Sequence, residues 1–161
     1  MISDECKAYL LERHQGEVYG ESLFGSLAAR TSGEERQRKW RVLERLERET
    51  KERIGSFLEG SGIGITGVSE SVRRGEGDAE RLAGIPWRDL LQGFRKELRR
   101  FVTLFEQSEE LDPSEAEVRT LLRHISTHER ALLEFVTREL EGRPEDSLEP
   151  VLGLLRDREV R

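Results

Sequence analysis

Apolar residues recur every three or four positions along four long stretches of the chain, with polar residues between them. This spacing puts the apolar side chains on one face of an α-helix, so it predicts four long amphipathic helices. Their expected bounds are residues 3–29, 33–59, 86–108 and 112–142. No stretch shows the alternation of Val, Ile, Thr and aromatic residues with polar ones that strands favour. The expected fold class is therefore all-α.

Three of the predicted helices begin with residues that suit the N-terminus of a helix. Ser3 can cap the first helix through its hydroxyl group. Pro86 suits the first turn of the third helix, where the missing N–H costs nothing. Asp112 can cap the fourth helix, and Pro113 suits its first position.

The connections between these helices differ greatly in length. Only a few residues separate the first helix from the second and the third from the fourth, so each pair is expected to form an antiparallel hairpin. Residues 60–84 contain seven glycines and are expected to form a long crossover between the second and third helices. A short helix fits within this crossover at residues 69–74 or 78–82.

The whole chain, residues 1–161, is expected to form one domain. A short loop, a long crossover and a second short loop predict a four-helix bundle with its crossover between the second and third helices. Residues 144–161 then form a C-terminal extension, in which a short helix is expected over residues 147–158.

Charge and composition narrow the range of partners. Charged residues make up 37% of the chain, against about 25% in ordinary globular proteins, and the net charge is −6. An acidic chain argues against a nucleic-acid partner, because phosphate binding needs a clustered basic surface. No run approaches the roughly 20 apolar residues of a membrane helix, and the start lacks the apolar core of a signal peptide. A cytoplasmic location and no membrane partner are expected.

Each of the four apolar stripes is interrupted near its middle by a side chain that can bind a metal ion. In chain order these are Glu17, Glu47, Glu97 and His128. A buried carboxylate is costly to desolvate unless it is paired or coordinates a cation. A shared metal is the simplest way for four such groups in one core to offset that cost. The sequence therefore predicts either a metal site made of these residues or a metal-free, hydrogen-bonded polar network in the same place.

Residues 16–21, 46–51 and 124–135 resemble the ferritin-like (rubrerythrin-type) superfamily. In its di-metal plan, two helices each supply one glutamate, and the other two each supply a Glu-x-x-His motif. The resemblance implies that Glu17 and Glu97 fill the single-glutamate positions. It also implies that Glu47 and His128 are what remains of the two motifs.

Two of the six ligand positions differ from that plan. Thr50 stands where the second helix would carry a histidine, and Ile125 stands where the fourth would carry a glutamate. Glu21, His14 and His124 each lie one helical turn from a predicted ligand, so they are the candidate substitutes. Iron or manganese is the expected cofactor, because both suit carboxylate and imidazole ligands, although zinc stays open. A degenerate site would hold no metal.

Two functions stay open at this point. One is a metal-binding, oxidoreductase-type protein whose iron or manganese reacts with oxygen or peroxide. The other is a metal-free helical bundle that acts as a structural or protein-interaction module. The G-x-G-x-x-G pattern at residues 62–67 follows a charged helix instead of a strand, so it does not predict a dinucleotide site.

Self-association as a homodimer is also expected. The chain carries more large apolar residues than one four-helix core is expected to cover, and exposed apolar patches commonly mark interfaces. These residues are Phe24, Trp40, Trp87, Val151, Leu154 and Leu155.

Overall fold

The computed structural model describes residues 2–111 and 114–155. Across these residues the chain is all-α and contains no β-strand, which confirms the predicted fold class. The helices are α1 (Asp4–Arg30), α2 (Glu34–Gly60), α3 (Val68–Leu82), α4 (Trp87–Ser108), α5 (Ala116–Leu140) and α6 (Glu149–Leu152), with a 3₁₀ turn at Glu109–Leu111. None of these helices is both long and apolar enough to cross a bilayer. The cytoplasmic location and the lack of a nucleic-acid partner stay predictions.

The first hairpin begins and turns close to the predicted positions. The Ser3 hydroxyl oxygen accepts a hydrogen bond from the backbone N–H of Cys6 at 3.1 Å, as expected of a helix cap. After α1 ends, Gly33 adopts a φ of 95°, in the left-handed region that favours glycine. This turn lets α2 return alongside α1.

The helices pack as two hairpins. α1 runs along α2, α4 runs along α5, and α5 also contacts α2 and α6. Two separate apolar clusters lie in the interior, one containing Trp40 and Phe135 and the other containing Leu10 and Ile54. Along α1, α2 and α5, a short polar stretch separates the residues of one cluster from those of the other. We call this region the polar layer and define it by Glu17, Glu47, Thr50 and His128.

The crossover contains one continuous helix of 15 residues, α3, where a shorter helix was predicted. α3 packs mainly against α1. Gly75 allows a close approach, because a Cβ atom there would lie 2.7 Å from the carbonyl oxygen of Tyr19. The Ser22 hydroxyl also donates to the carbonyl of Val72 at 2.7 Å. These contacts stabilise a segment whose glycines disfavour helix on their own.

Other helix ends differ from the prediction. Pro86 occupies the cap position before α4 and does not lie inside its first turn. α5 begins at Ala116, later than predicted, while Asp112 and Pro113 lie outside the described residues. The predicted helix over 147–158 is reduced to the four residues of α6, which ends before Gly153, and its last predicted residues also lie outside the described part.

A buried ion pair fixes one end of the molecule. The ammonium group of Lys39 on α2 contacts the carboxylate of Glu139 on α5, and both side chains are 4% exposed. Lys39 also donates to the carbonyl of Pro144 at 3.0 Å. The Glu139 carboxylate accepts hydrogen bonds from the indole N–H of Trp87 at 3.1 Å and from the Ser147 hydroxyl at 2.6 Å. This set of contacts joins α2, α4, α5 and the segment before α6.

The apolar residues that suggested a dimer are mostly covered within the chain. Trp40, Val151 and Leu155 are only 1%, 0% and 4% exposed. The Trp40 ring stacks on Phe24 and meets the ring of Trp87 in an edge-to-face contact. The homodimer therefore gains no support from these residues and stays a prediction.

Candidate metal centre

Three of the four predicted ligands meet in the polar layer. Glu17 comes from α1, Glu47 from α2 and His128 from α5, and one ligand atom of each lies within 4.8 Å of the others. Their exposed fractions are 4%, 7% and 1%, so the group is closed off from solvent. Long stretches of sequence separate the three residues, and only the packing of α5 against the first hairpin brings them together.

The facing atoms of these three side chains contact one another and no polar group of the other described residues. Nε2 of His128 lies 3.7 Å from Oε2 of Glu17 and makes a closer contact with Oε2 of Glu47. Within the described residues, none of these three atoms has a hydrogen-bond partner of acceptable geometry. Buried polar atoms are costly when they are left unsatisfied, so such a group calls for an explanation. Two oxygens and one nitrogen that face one another form a donor set suited to a cation.

Burial strongly disfavours charge on these acids. Burial is the main reason that the pKa values of Glu17 and Glu47 lie well above their usual range, and the charge of Glu47 raises the pKa of Glu17 further. Burial also raises the pKa of the neighbouring Glu129 to about 7. The positive charge of Arg13 acts in the opposite direction on all three acids. Without a cation, the carboxyl groups therefore tend to hold protons.

A hydrogen-bonded line runs outward from the other side of His128. Nδ1 of His128 lies 2.7 Å from the hydroxyl oxygen of Thr50, which is fully buried. The same hydroxyl lies 3.1 Å from Nε2 of His124. Nδ1 of His124 lies 3.1 Å from a guanidinium nitrogen of Arg53, which is exposed. We call this series of contacts, from Arg53 through His124 and Thr50 to His128, the histidine line.

Gly20 gives the Glu47 side chain room to enter the polar layer. A Cβ atom at Gly20 would overlap Oε1 of Glu47 and would lie 2.7 Å from its Cδ atom. Gly20 is itself buried, on the side of α1 that faces α2. The absence of a side chain at Gly20 therefore has a direct steric role.

Glu97 does not join the other three predicted ligands. Its side chain is 54% exposed on α4 and pairs with Arg100 at 2.8 Å. α4 buries few residues deeply, among them Leu90, Leu91 and Phe105, so the edge of its apolar stripe faces solvent. The structure therefore corrects the predicted position of this residue.

The predicted substitute ligands also lie outside the three-residue group. Glu21 faces the side of α2 and pairs with Lys51 at 3.0 Å. His14 is buried, and its Nδ1 atom has no hydrogen-bond partner in the described part of the chain. Burial lowers the pKa of His14 and favours its neutral form. His124 approaches the group only through Thr50.

Sequence reasoning missed two charged neighbours of the site. Glu129 directly follows His128 and is only 8% exposed. Arg13 lies over the ring of Phe105, with its guanidinium carbon 4.3 Å from the ring centre. A usable signal was present in α5, which carries adjacent apolar pairs and so buries more than one stripe. These pairs are Leu121–Leu122, Ala131–Leu132 and Phe135–Val136.

No protein-family model, curated protein or solved structure matches this chain.

Proposed function

We propose that this protein binds a divalent transition-metal ion through Glu17, Glu47 and His128. In this proposal α1, α2, α4 and α5 form a ferritin-like four-helix bundle, and α3 lies within its long crossover. One observation carries the proposal: three helices bring together three buried ligand atoms that have no hydrogen-bond partner outside this group in the described part of the chain. A cation at their centre would satisfy all three atoms together.

The spacing of the ligand atoms supports a single small ion. Ligands 2.0–2.2 Å from one ion lie at most about 4.4 Å apart. The three atoms lie within 4.8 Å of one another, so small side-chain adjustments complete the contact. A second ion lacks support, because Glu97 is exposed and Thr50 replaces a histidine of the family plan.

The donor set favours iron or manganese, with zinc as a further candidate. Two carboxylates and one imidazole suit these ions, while the lack of thiolate argues against soft metals. Three protein ligands leave coordination positions for water or a substrate, as in reactive sites and unlike closed structural sites. A redox-active ion held there would supply oxidoreductase-type chemistry, with oxygen or peroxide as the oxidant.

Metal content measured by elemental analysis tests the proposal. The protein should be purified without chelators and then offered iron(II), manganese(II) or zinc separately. We expect about one equivalent in the wild type and far less in Glu47→Gln and His128→Ala, because each variant removes one ligand. Glu97→Gln is the matched control and should keep the wild-type content. Unchanged metal content in both ligand variants would reject the site.

A metal-free structural or interaction module is the second candidate function. Its support is the positive charge of Arg13, which partly balances the three buried acids, and the Thr50 hydroxyl, which contacts His128. Together these contacts offset part of the cost of burying the polar layer without any ion. Metal content below about a tenth of an equivalent after every ion has been offered would favour this candidate.

A further inference from the structure

One direction of the histidine line pairs each donor along it with an acceptor. A guanidinium group can only donate hydrogen bonds, so Nδ1 of His124 must accept from Arg53 at 3.1 Å. A neutral imidazole carries one N–H, so the proton of His124 lies on Nε2. That nitrogen lies 3.1 Å from the Thr50 hydroxyl oxygen and donates to it.

The same reasoning continues to the buried site. The Thr50 oxygen accepts from His124, so its own hydrogen can be donated to Nδ1 of His128 at 2.7 Å. Nδ1 of His128 then carries no proton, and the proton of this imidazole lies on Nε2. Nε2 is the atom that faces the carboxyl groups of Glu17 and Glu47.

We propose that Arg53, acting through His124 and Thr50, determines which nitrogen of His128 carries the proton. Arg53, His124 and Thr50 are positioning residues, since none of them touches the space between the three ligand atoms. Arg53 is exposed and also lines an open surface cleft of about 860 Å³ between α2 and the start of α5. A surface residue thus sets the hydrogen-bond pattern of a buried site.

The consequence for metal binding rests on the proposed function. Nε2 can bind a cation only when the imidazole proton has moved to Nδ1. In that form the Nδ1–H of His128 donates to the Thr50 oxygen, which also accepts from His124. The Thr50 hydroxyl hydrogen then no longer has Nδ1 of His128 as its acceptor. Without Arg53, Nδ1 of His124 no longer has to accept from a guanidinium group, so Thr50 can donate to Nε2 of His124. Arg53 therefore makes metal binding weaker by roughly the value of one hydrogen bond.

NMR of the metal-free, ¹⁵N-labelled full chain tests the tautomer directly. We expect long-range ¹H–¹⁵N spectra to place the proton of both His124 and His128 on Nε2 in the wild type. Arg53→Lys keeps a group that only donates and should preserve this pattern, whereas Arg53→Met should shift His128 toward the Nδ1–H form. Arg123→Met removes an exposed arginine beside His124 and is the matched control. A wild-type His128 with its proton on Nδ1, or with both nitrogens protonated, would overturn the inference.

Metal titration provides the second readout. With manganese(II) and zinc as probes, we expect Arg53→Met to bind roughly two- to tenfold more tightly than the wild type, the effect of one net hydrogen bond. Arg53→Lys and Arg123→Met should bind like the wild type. Equal affinity in Arg53→Met and the wild type would refute the proposed effect of Arg53 on His128 and would leave the proposed metal site standing. If no ion binds but the tautomer still depends on Arg53, the proposed function fails and the assignment of the tautomer stands.

Discussion

Gly20 on α1 and Glu47 on α2 face each other so closely that any side chain at position 20 would occupy the space of the Glu47 carboxyl group. Glycine weakens a helix interior by roughly 1 kcal/mol relative to alanine. Gly20 introduces this cost where α1 lies beside the polar layer. The small residue is therefore best explained by the room that the carboxyl group needs.

Gly20→Ala should reduce metal binding without unfolding the protein. The new methyl group displaces the Glu47 carboxyl group from His128, and we expect metal affinity to fall roughly tenfold or more, as when a residue supporting a ligand is removed. The gain in helix propensity and the steric cost act in opposite directions on the metal-free protein, so its stability should change little. Metal titration and urea unfolding measure the two effects.

Gly93→Ala is the control for this substitution. A Cβ atom at Gly93 on α4 meets no heavy atom within 4 Å. We expect this variant to keep wild-type metal affinity and to gain roughly 0.5–1 kcal/mol in the free energy of unfolding. Wild-type affinity in Gly20→Ala as well would show that metal binding does not depend on the close approach of Gly20 to the Glu47 carboxyl group.

Glu47→Gln should change stability in opposite directions with and without metal. In the metal-free protein it removes an acid whose charge is disfavoured by burial, so the melting temperature should stay the same or rise. With excess metal, the wild type gains about 2.7 kcal/mol at an ion concentration of 100 times Kd, and the variant loses this gain. Thermal unfolding with and without manganese(II) measures both. Equal stabilisation of the two proteins by the ion would contradict the prediction.

The stability of the metal-free protein should fall as the pH rises through the range between about 4.5 and about 7. Burial raises the pKa of Glu129 from 4.5 to about 7, so the folded state binds more protons than the unfolded state across this range. The shift corresponds to a loss of about 3 kcal/mol from this group. Glu17 and Glu47 change the stability in the same direction.

Urea unfolding at several pH values checks this dependence. Glu129→Gln should flatten the profile, because the amide has no proton to lose. Glu97→Gln alters an exposed carboxyl group and should keep the wild-type profile. A profile that rises with pH over the same range would show that the buried acids are ionised without metal.

Metal affinity should increase with pH. Any cation that binds Glu17 and Glu47 displaces the protons that their raised pKa values retain. Each displaced proton makes the affinity about tenfold weaker per pH unit of acidification. Calorimetric titration with zinc in two buffers of different ionisation enthalpy measures the number of protons released on binding. Affinity that does not vary with pH would indicate carboxylates that are already ionised.

Lys39→Ala should destabilise the protein whether or not metal is present. The substitution leaves Glu139 buried, with a side chain 4% exposed and without its cation. Loss of one partner from a buried ion pair typically costs about 3–5 kcal/mol. The double variant Lys39→Met with Glu139→Gln should recover much of this loss, because it removes both charges. Urea unfolding of the two variants measures the difference, and a loss below about 1 kcal/mol in Lys39→Ala would mean that Glu139 finds another partner.

The sequence predicted the all-α class, the bounds of the first hairpin and the meeting of Glu17, Glu47 and His128 in the interior. These rested on helical periodicity, which identifies the inward face of a helix well. Periodicity does not reveal how deeply a helix is buried among its neighbouring helices. Glu97 and Glu47 occupy similar positions in their stripes, yet α4 leaves Glu97 in solvent while α2 buries Glu47.

Contacts between distant segments account for other differences. The prediction placed only a short helix in the crossover, at residues 69–74 or 78–82, but packing against Tyr19 and Ser22 of α1 stabilises a continuous α3. Glu129 was overlooked because it directly follows His128, and a single stripe would turn it away from the core. α5 is buried on several sides, so neighbours in the sequence share the interior.

Glu17 and Glu47 belong to the hairpin that is synthesised first, whereas His128 lies far downstream on α5. On the ribosome this hairpin emerges before its third ligand exists, since chains fold from the N-terminal end as they are made. Two carboxyl groups alone form an incomplete site. Ion capture in the proposed site therefore has to wait until α5 docks. In this chain a metal would stabilise a fold that is already nearly complete and would not initiate folding.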